Sequence, residues 1–245
     1  DGLPISADGW KFGQATGAYG DITIVPPSSP TQTDDFEDAS TWNVYSGSGT
    51  VQVANGIGSF DTSTNNVGNA LTRQIDVLDD DKWIVAVKFN QHQQGGNGGS
   101  NYPIIVTAAE LGFGTCSSST FWSGANGAMV YAHAGNRTLS MESIASGSST
   151  SGGSNGWTYS LDTDYWIAIT RDGDTFTFNT YDIDDLGGTS LGTGTITNAG
   201  VGTGLQWFAV GTSCWDPSNY NWKIDFDDLT IYDGMTEAAG ETTTY

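Results

Sequence analysis

A 245-residue chain carrying 28 acidic side chains against seven basic ones, net charge −21, repels phosphate backbones and anionic bilayers, so nucleic acid and membrane surfaces are set aside as partners. Its 37% hydrophobic fraction, 34 glycines and Val-, Ile- and aromatic-rich apolar content suit pleated strands joined by turns and argue against helical bundles. The length allows one undivided all-β domain, no run of 18 apolar residues marks a membrane span, and no His/Cys cluster has zinc spacing.

Residues 1–33 read as an N-terminal arm and spacer. Gly9 to Gly13 and Asp21 to Val25 are short extended pieces, and Pro26-Pro27-Ser28-Ser29-Pro30 resists helix and acts as a semi-rigid spacer. The arm is too short for its own core. It is expected to dock on the main domain or on other subunits of a larger assembly, with Trp10 and Phe12 as anchors. The chain starts at Asp1 without a signal peptide, which reads as a processed product or a segment of something longer.

The main domain is expected over 34–234, with 235–245 as a C-terminal tail. Strands arrive at regular spacing: Thr50 to Ala54, a turn at Asn55-Gly56, Ser59 to Asp61, Ala70 to Ile75, and Lys82 to Phe89 with Trp83, Val85, Val87 and Phe89 on one face. Pro103 to Phe113, Ala128 to Ala134 and Thr138 to Ile144 follow, and the Ser/Gly-rich Ser146 to Gly156 reads as a flexible loop. Tyr165 to Thr170, Arg171-Asp172-Gly173-Asp174 and Thr175 to Tyr181 form the clearest hairpin, because Asp-Gly between alternating runs is a strong turn signal. Leu205 to Val210 and Trp222 to Tyr232 complete the domain, with no amphipathic helix in it. Trp83, Trp166 and Trp207, on strands, are expected in the core.

Cys116 and Cys214 each follow an apolar strand-like run. Adjacent strands would present them for a disulfide, stabilising by about 4 kcal/mol in the chain-entropy model. Two buried thiols are the alternative. Asn136-Arg137-Thr138 is a sequon, meaningful in a eukaryotic secretory pathway.

The order Asp34-Asp35-Phe36, Trp42, Gly56 to Phe60, Trp166-Ile167-Ala168-Ile169 with Arg171-Asp172-Gly173, and Asp227-Asp228-Leu229-Thr230-Ile231-Tyr232 resembles the concanavalin A-like lectin/glucanase superfamily. The resemblance implies an all-β jelly-roll sandwich of two curved antiparallel sheets whose opening and closing strands lie side by side. It further implies a structural Ca²⁺ on the convex side, held by Asp35 and Asp227 with backbone carbonyls filling the remaining places. Asp182 to Gly187 is no EF-hand, having Leu at its fifth position and no closing Glu.

Glycosidases of this fold use E-x-D-x-x-E, and none of Glu37, Glu110, Glu142, Glu237 or Glu241 has an acid two residues on. Glu110 and Glu142 alone fall in mid-domain strands as read here, and a retaining pair needs carboxylates about 5–5.5 Å apart. Gly152-Gly153-Ser154-Asn155-Gly156 lacks the strand-to-helix setting of a nucleophile elbow. Carbohydrate binding requires an aromatic face beside fixed amides and carboxylates. Trp215, Asn219 and Tyr220 in one segment, His92 and Tyr102 in another, and Trp122 offer these. The reading is a non-catalytic, calcium-stabilised, glycan-binding recognition or adhesion module at an extracellular, cell-surface or virion-surface location. A structural or decoration subunit of a virion or surface filament is the alternative, and a glycoside hydrolase or polysaccharide lyase the third.

Overall fold

A computed structural model describes residues 5–6, 9–10, 30–47, 49–63, 68–93, 100–113, 124–133, 137–182, 189–212 and 221–234. The strands in chain order are β1 (Ile5–Ser6), β2 (Gly9–Trp10), β3 (Gln32–Asp34), β4 (Asn43–Tyr45), β5 (Thr50–Ala54), β6 (Ile57–Ser63), β7 (Asn69–Gln74) and β8 (Lys82–Gln93). They continue as β9 (Ser100–Thr107), β10 (Gly127–His133), β11 (Thr138–Ala145), β12 (Ser148–Thr158), β13 (Asp164–Asp172), β14 (Thr175–Asp182), β15 (Gly192–Thr197), β16 (Trp207–Thr212) and β17 (Asn221–Asp233). Among the described residues there is no α-helix, and none that is long and apolar enough to cross a membrane.

Two antiparallel sheets form the sandwich. The front sheet has the order β12-β11-β10-β9-β16-β7-β4, and the back sheet β15-β14-β13-β8-β17-β6-β5. β3 joins the back sheet beside β17, with Leu229 opposite Asp34 and Ile231 opposite Gln32. The two ends of the domain are therefore paired, as the acidic-aromatic stretches imply. Pairing begins ahead of Asp34: the Thr31 amide already donates to the Ile231 carbonyl at 2.7 Å.

Period-two alternation decides what each strand buries. On β8, Trp83, Val85, Val87 and Phe89 enter the core between the sheets, together with Phe176 and Phe178 of β14, Ile167 and Ile169 of β13, and Phe208 and Val210 of β16. Phe36, at φ +54°, is fully buried and stacks on Trp42 with centroids 4.5 Å apart. Asp34 holds this plug in place: its Oδ1 accepts from the Phe36 amide (2.8 Å) and the Trp42 indole N–H (3.3 Å), while its other oxygen pairs with Arg73.

The same alternation corrects the tryptophan reading. Tyr165 and Ile167 take the core positions of β13, so Trp166 projects from the outer face of the back sheet, with Lys88 Nζ 5.4 Å from its ring centroid. Phe208 and Val210 do the same to Trp207, which is only half-buried. Trp222, by contrast, is a core residue.

Two further readings need correction, and one strand, β15, escapes them. Ser146 to Gly156 is mostly strand: after a turn at Ser146-Gly147, β12 pairs with β11 as the edge of the front sheet. Main-chain hydrogen bonds form this strand without an apolar face, and Gly152 packs where a Cβ would meet the Ile196 Cβ at 2.5 Å. The Gly/Thr stretch of β15 carried little strand signal, yet it pairs with β14 along its whole length. The strand beginning near Pro103 ends at Thr107, because its two partners end there too, with Gly127 and Trp207 both opposite Thr107. The 172–175 hairpin has Asp172 opposite Thr175, so its central residues are Gly173-Asp174, with Gly173 at φ +61°.

Candidate functional site

The junction of the chain ends is built by β3, β6 and β17. Past β3 the backbone turns at Phe36, and Asp35 Oδ1 accepts from the Glu37 amide at 3.2 Å. On β17 a register shift between Asp227 and Thr230 lifts Asp228 into a positive φ of 47°. Asp227 Oδ1 accepts from the Asp228 amide at 2.7 Å, and the Asp228 carboxylate pairs with Lys88. Burial, followed by the charges of Asp228 and Asp35, pushes the Asp227 carboxyl above its ordinary value against the opposing pull of the Asp228 amide and Lys88.

Gly56 completes the junction. It sits at φ +76° in the β5–β6 turn, where a Cβ would lie 3.1 Å from Glu37 Oε1 and 3.4 Å from the Asp35 carbonyl oxygen. The absent side chain thus leaves room for two oxygens to converge. No group of three His, Cys, Asp or Glu side chains among the described residues forms a metal cluster. An ion here would draw on the Asp35 carbonyl, Glu37 and Asp227, an all-oxygen donor set of the kind Ca²⁺ accepts and zinc does not favour. Glu37 and Gly56 escaped the sequence reading, because Asn55-Gly56 registers only as a turn.

Beside this junction, on the outer face of the back sheet, lies a pocket of about 220 Å³ lined by Ile57, Lys88, Asn90, His92, Asp164 and Asp225 among others. His92 bridges two carboxylates, with Nδ1 2.9 Å from Asp162 and Nε2 3.0 Å from Asp225. Burial alone would lower the imidazole's pKa, but the two carboxylates outweigh it and raise it above 6.5.

His92 and Tyr102 do not share a surface. Tyr102 belongs to a separate apolar cluster on the outer face of the front sheet, with Ile105, Met129, Tyr131 and Ala209, and is 5% exposed. Leu111 and Phe113, from the segment after β9, fold over that cluster.

Glu110 fastens this fold-over. Its Oε1 accepts from Thr72 Oγ1 (2.6 Å), Asn43 Nδ2 (2.8 Å) and the Tyr45 hydroxyl (3.0 Å). Burial would raise its pKa, but these three donors hold it below the ordinary carboxylate range. Glu110 is therefore a latch off the strand rather than a member of a strand-borne pair.

Glu142 lies far from it. In register, Glu142 stands opposite Met129, Met129 opposite Ile105, Ile105 opposite Ala209, and Ala209 opposite Thr72. Four inter-strand steps put about 19 Å of sheet between Glu142 and the Thr72 to which Glu110 is bound. That exceeds both the retaining and the inverting carboxylate separations. Burial, and after it the charge of Glu142, push the neighbouring Tyr131 hydroxyl up to about 12.

Trp122, Trp215, Asn219, Tyr220, Cys116 and Cys214 lie outside the described residues. The described residues that flank their segments have a definite arrangement. Thr212 ends β16 opposite Asn69 and Asn101, and Phe113 reaches Tyr45, with ring centroids 6.2 Å apart. Tyr45 pairs with Ala70, and Ala70 with Gly211. The segments 114–123 and 213–220 are thus both joined to the chain at one corner of the front sheet, and 94–99 rejoins it at Ser100 nearby.

No family model and no curated protein matches the sequence. Solved structures do match in shape. The exoplasmic/lumenal domain of VIP36 in its Ca²⁺/Man3GlcNAc-bound form is 14% identical over 82% of this chain and 89% of that one, with a TM-score of 0.55. Laminarinase from Flavobacterium sp. UMI-01 is 10% identical over 84% of this chain and 100% of that one, TM-score 0.54. The CBM2 module of the evolved Dit of Lactobacillus casei BL23 phage J-1 is 15% identical over 85% and 96%, TM-score 0.51. At such identities the likeness is one of fold, and it agrees with the paired terminal strands and the two-sheet order. The chain has the fold of an all-β jelly-roll sandwich of two antiparallel sheets, shared with these structures.

Proposed function

We propose that this chain is a non-catalytic recognition module that binds carbohydrate and carries a structural Ca²⁺. The fold admits lectins and hydrolases alike, so it does not choose between them. The observation that carries the non-catalytic half is the separation of the mid-domain glutamates: Glu110 is spent on Asn43, Tyr45 and Thr72, and Glu142 lies about 19 Å of sheet away. No step of glycoside hydrolysis has its two carboxylates in that arrangement.

The glycan surface in this reading is the corner of the front sheet near Thr212, with Trp215 and Tyr220 as stacking faces, Asn219 as an amide partner and Trp122 contributing from 114–123. The pairing of Cys116 with Cys214 belongs to the same reading, supported by Phe113 touching Tyr45, which lies two strand-steps from Gly211 through Ala70. The calcium site is the Asp35–Glu37–Gly56–Asp227 junction. When bound, the ion relieves the repulsion between Asp35 and Asp227 and ties the two chain ends. Such a module acts at an extracellular, cell-surface or virion-surface location.

Isothermal titration against glycans selected on an array tests the surface. Trp215→Ala and Tyr220→Ala should each lower affinity at least tenfold while leaving Tm within about 2 °C. Unchanged affinity in both would remove this corner as the site. Reducing-end release from mixed polysaccharides would overturn the non-catalytic reading.

A further inference from the structure

The outer face of the back sheet should be polar, because the front sheet covers only its other face. Part of it is not. Ile84 and Ala86 alternate along β8 with the core residues Trp83, Val85 and Val87, so they face away from the front sheet. Together with Ala168 of β13 and Tyr232 of β17 they form an apolar island fenced by Trp166 and Tyr181. These four residues are nonetheless only 0–5% exposed.

We propose that this island is the docking surface for the chain's own N-terminal arm, residues 1–29, with Trp10 and Phe12 as the side chains that seat on it. Three observations identify this occupant. The arm enters the domain beside the island: the Thr31 amide donates to the Ile231 carbonyl and Thr31 Oγ1 accepts from the Asp233 amide, flanking Tyr232 on both sides. The reach is short, since Gln32, Ile231, Val85 and Ile169 lie in one row of the sheet. Three strand spacings, about 14 Å, separate the arm's entry from Ala168, against a contour several times longer in the 20 residues between Trp10 and Thr31. Finally, the arm contains a two-stranded ladder of two residues per strand, Ile5 opposite Trp10 and Ser6 opposite Gly9. A ladder that small is not stable alone in water and needs a surface to pack on.

Covalent attachment at Thr31 gives the arm a millimolar effective concentration over its own domain's island, which favours docking in cis over docking on another copy. The proposal is independent of glycan binding and of the calcium site.

The test uses the full chain carrying Ala168→Cys, a small change at the island's centre. Alkylation by iodoacetamide is followed by peptide-resolved mass spectrometry, which separates position 168 from the two native cysteines. Adding Trp10→Ala with Phe12→Ala should accelerate alkylation at 168 at least about tenfold, and protection in the parent should not change on dilution. Equal rates with and without the arm aromatics would overturn the proposal. Protection that fades on dilution would overturn docking in cis. Should the double change abolish the sheet signal in far-UV circular dichroism, Phe12→Ala alone serves, with an expected acceleration of about threefold and the same refuting results.

Discussion

Replacing Glu110 separates a structural latch from a catalytic acid. All three donors converge on one oxygen, at 2.6 Å from Thr72, 2.8 Å from Asn43 and 3.0 Å from Tyr45. Hydrogen bonds to a buried charged acceptor contribute about 1.5–3 kcal/mol each. The Asn43 contact is exposed and the others only part-buried, so solvent competes and about 0.5–1 kcal/mol apiece is the better figure. Glu110→Ala should thus cost about 2 kcal/mol, or about 4–8 °C in Tm for a domain of this size. Glu110→Gln keeps an acceptor oxygen and should cost about 1 kcal/mol or less. The pH dependence carries a second signature. Since the folded pKa lies below the ordinary 4.5, the latch's contribution is present above pH 4.5 and lost as pH falls through the folded value. Differential scanning calorimetry from pH 3 to 7 should show the wild-type advantage over Glu110→Ala shrinking at the acid end. A Tm for Glu110→Ala within 1 °C of wild type across that range would refute the latch, as would a polysaccharide-cleaving activity lost in Glu110→Gln.

Calcium at 100 times its dissociation constant should raise stability by about 2.7 kcal/mol, or about 5–11 °C, reversibly with chelator, and no shift would remove the ion. Asp227→Asn reverses sign with the metal: in chelator it relieves a carboxylate whose raised pKa makes its ionisation unfavourable, so Tm holds or rises, whereas in calcium it lowers Tm. Gly56→Ala should cost about 1–2 kcal/mol, since its φ of +76° is strained for any side chain and the Cβ presses on Glu37 and Asp35. Because His92 has a raised folded pKa, its carboxylate pairs stabilise fully below pH 6.5 and lose that contribution as pH rises through the folded value. Wild type should therefore lose Tm relative to His92→Gln between pH 6 and 9, by less than about 1 kcal/mol at a half-exposed pair, and parallel curves would contradict the bridge.

The fold was legible wherever burial imposes period two. β8 and the β13–β14 hairpin show this, with Val85, Val87, Ile167, Ile169, Phe176 and Phe178 all meeting in the core. The pairing of the chain ends was legible from Asp34-Asp35-Phe36 and the Asp227 to Tyr232 stretch. β12 and β15 were not legible, because strands held by main-chain pairing at a sheet edge carry Ser, Thr and Gly in place of an apolar face. Trp166 shows the complementary limit: a tryptophan on a strand is equally compatible with either face until its neighbours' parity is fixed. At the terminal junction Asp35 and Asp227 stand out by residue type. Glu37 and Gly56 join them only through the left-handed turns at Phe36 and Asn55-Gly56, which sequence spacing does not encode. Glu110 falls within the Pro103 to Phe113 strand of the sequence reading, but β9 stops at Thr107, where its pairing with β10 and β16 stops.

The central claim is recognition of carbohydrate without its cleavage. A glycan array probed with the full chain in calcium and again in chelator tests it most directly. The account predicts binding to a defined set of glycans in calcium, with the glycans recovered intact. Binding to none at any calcium level, or recovery of shortened glycans, would contradict it.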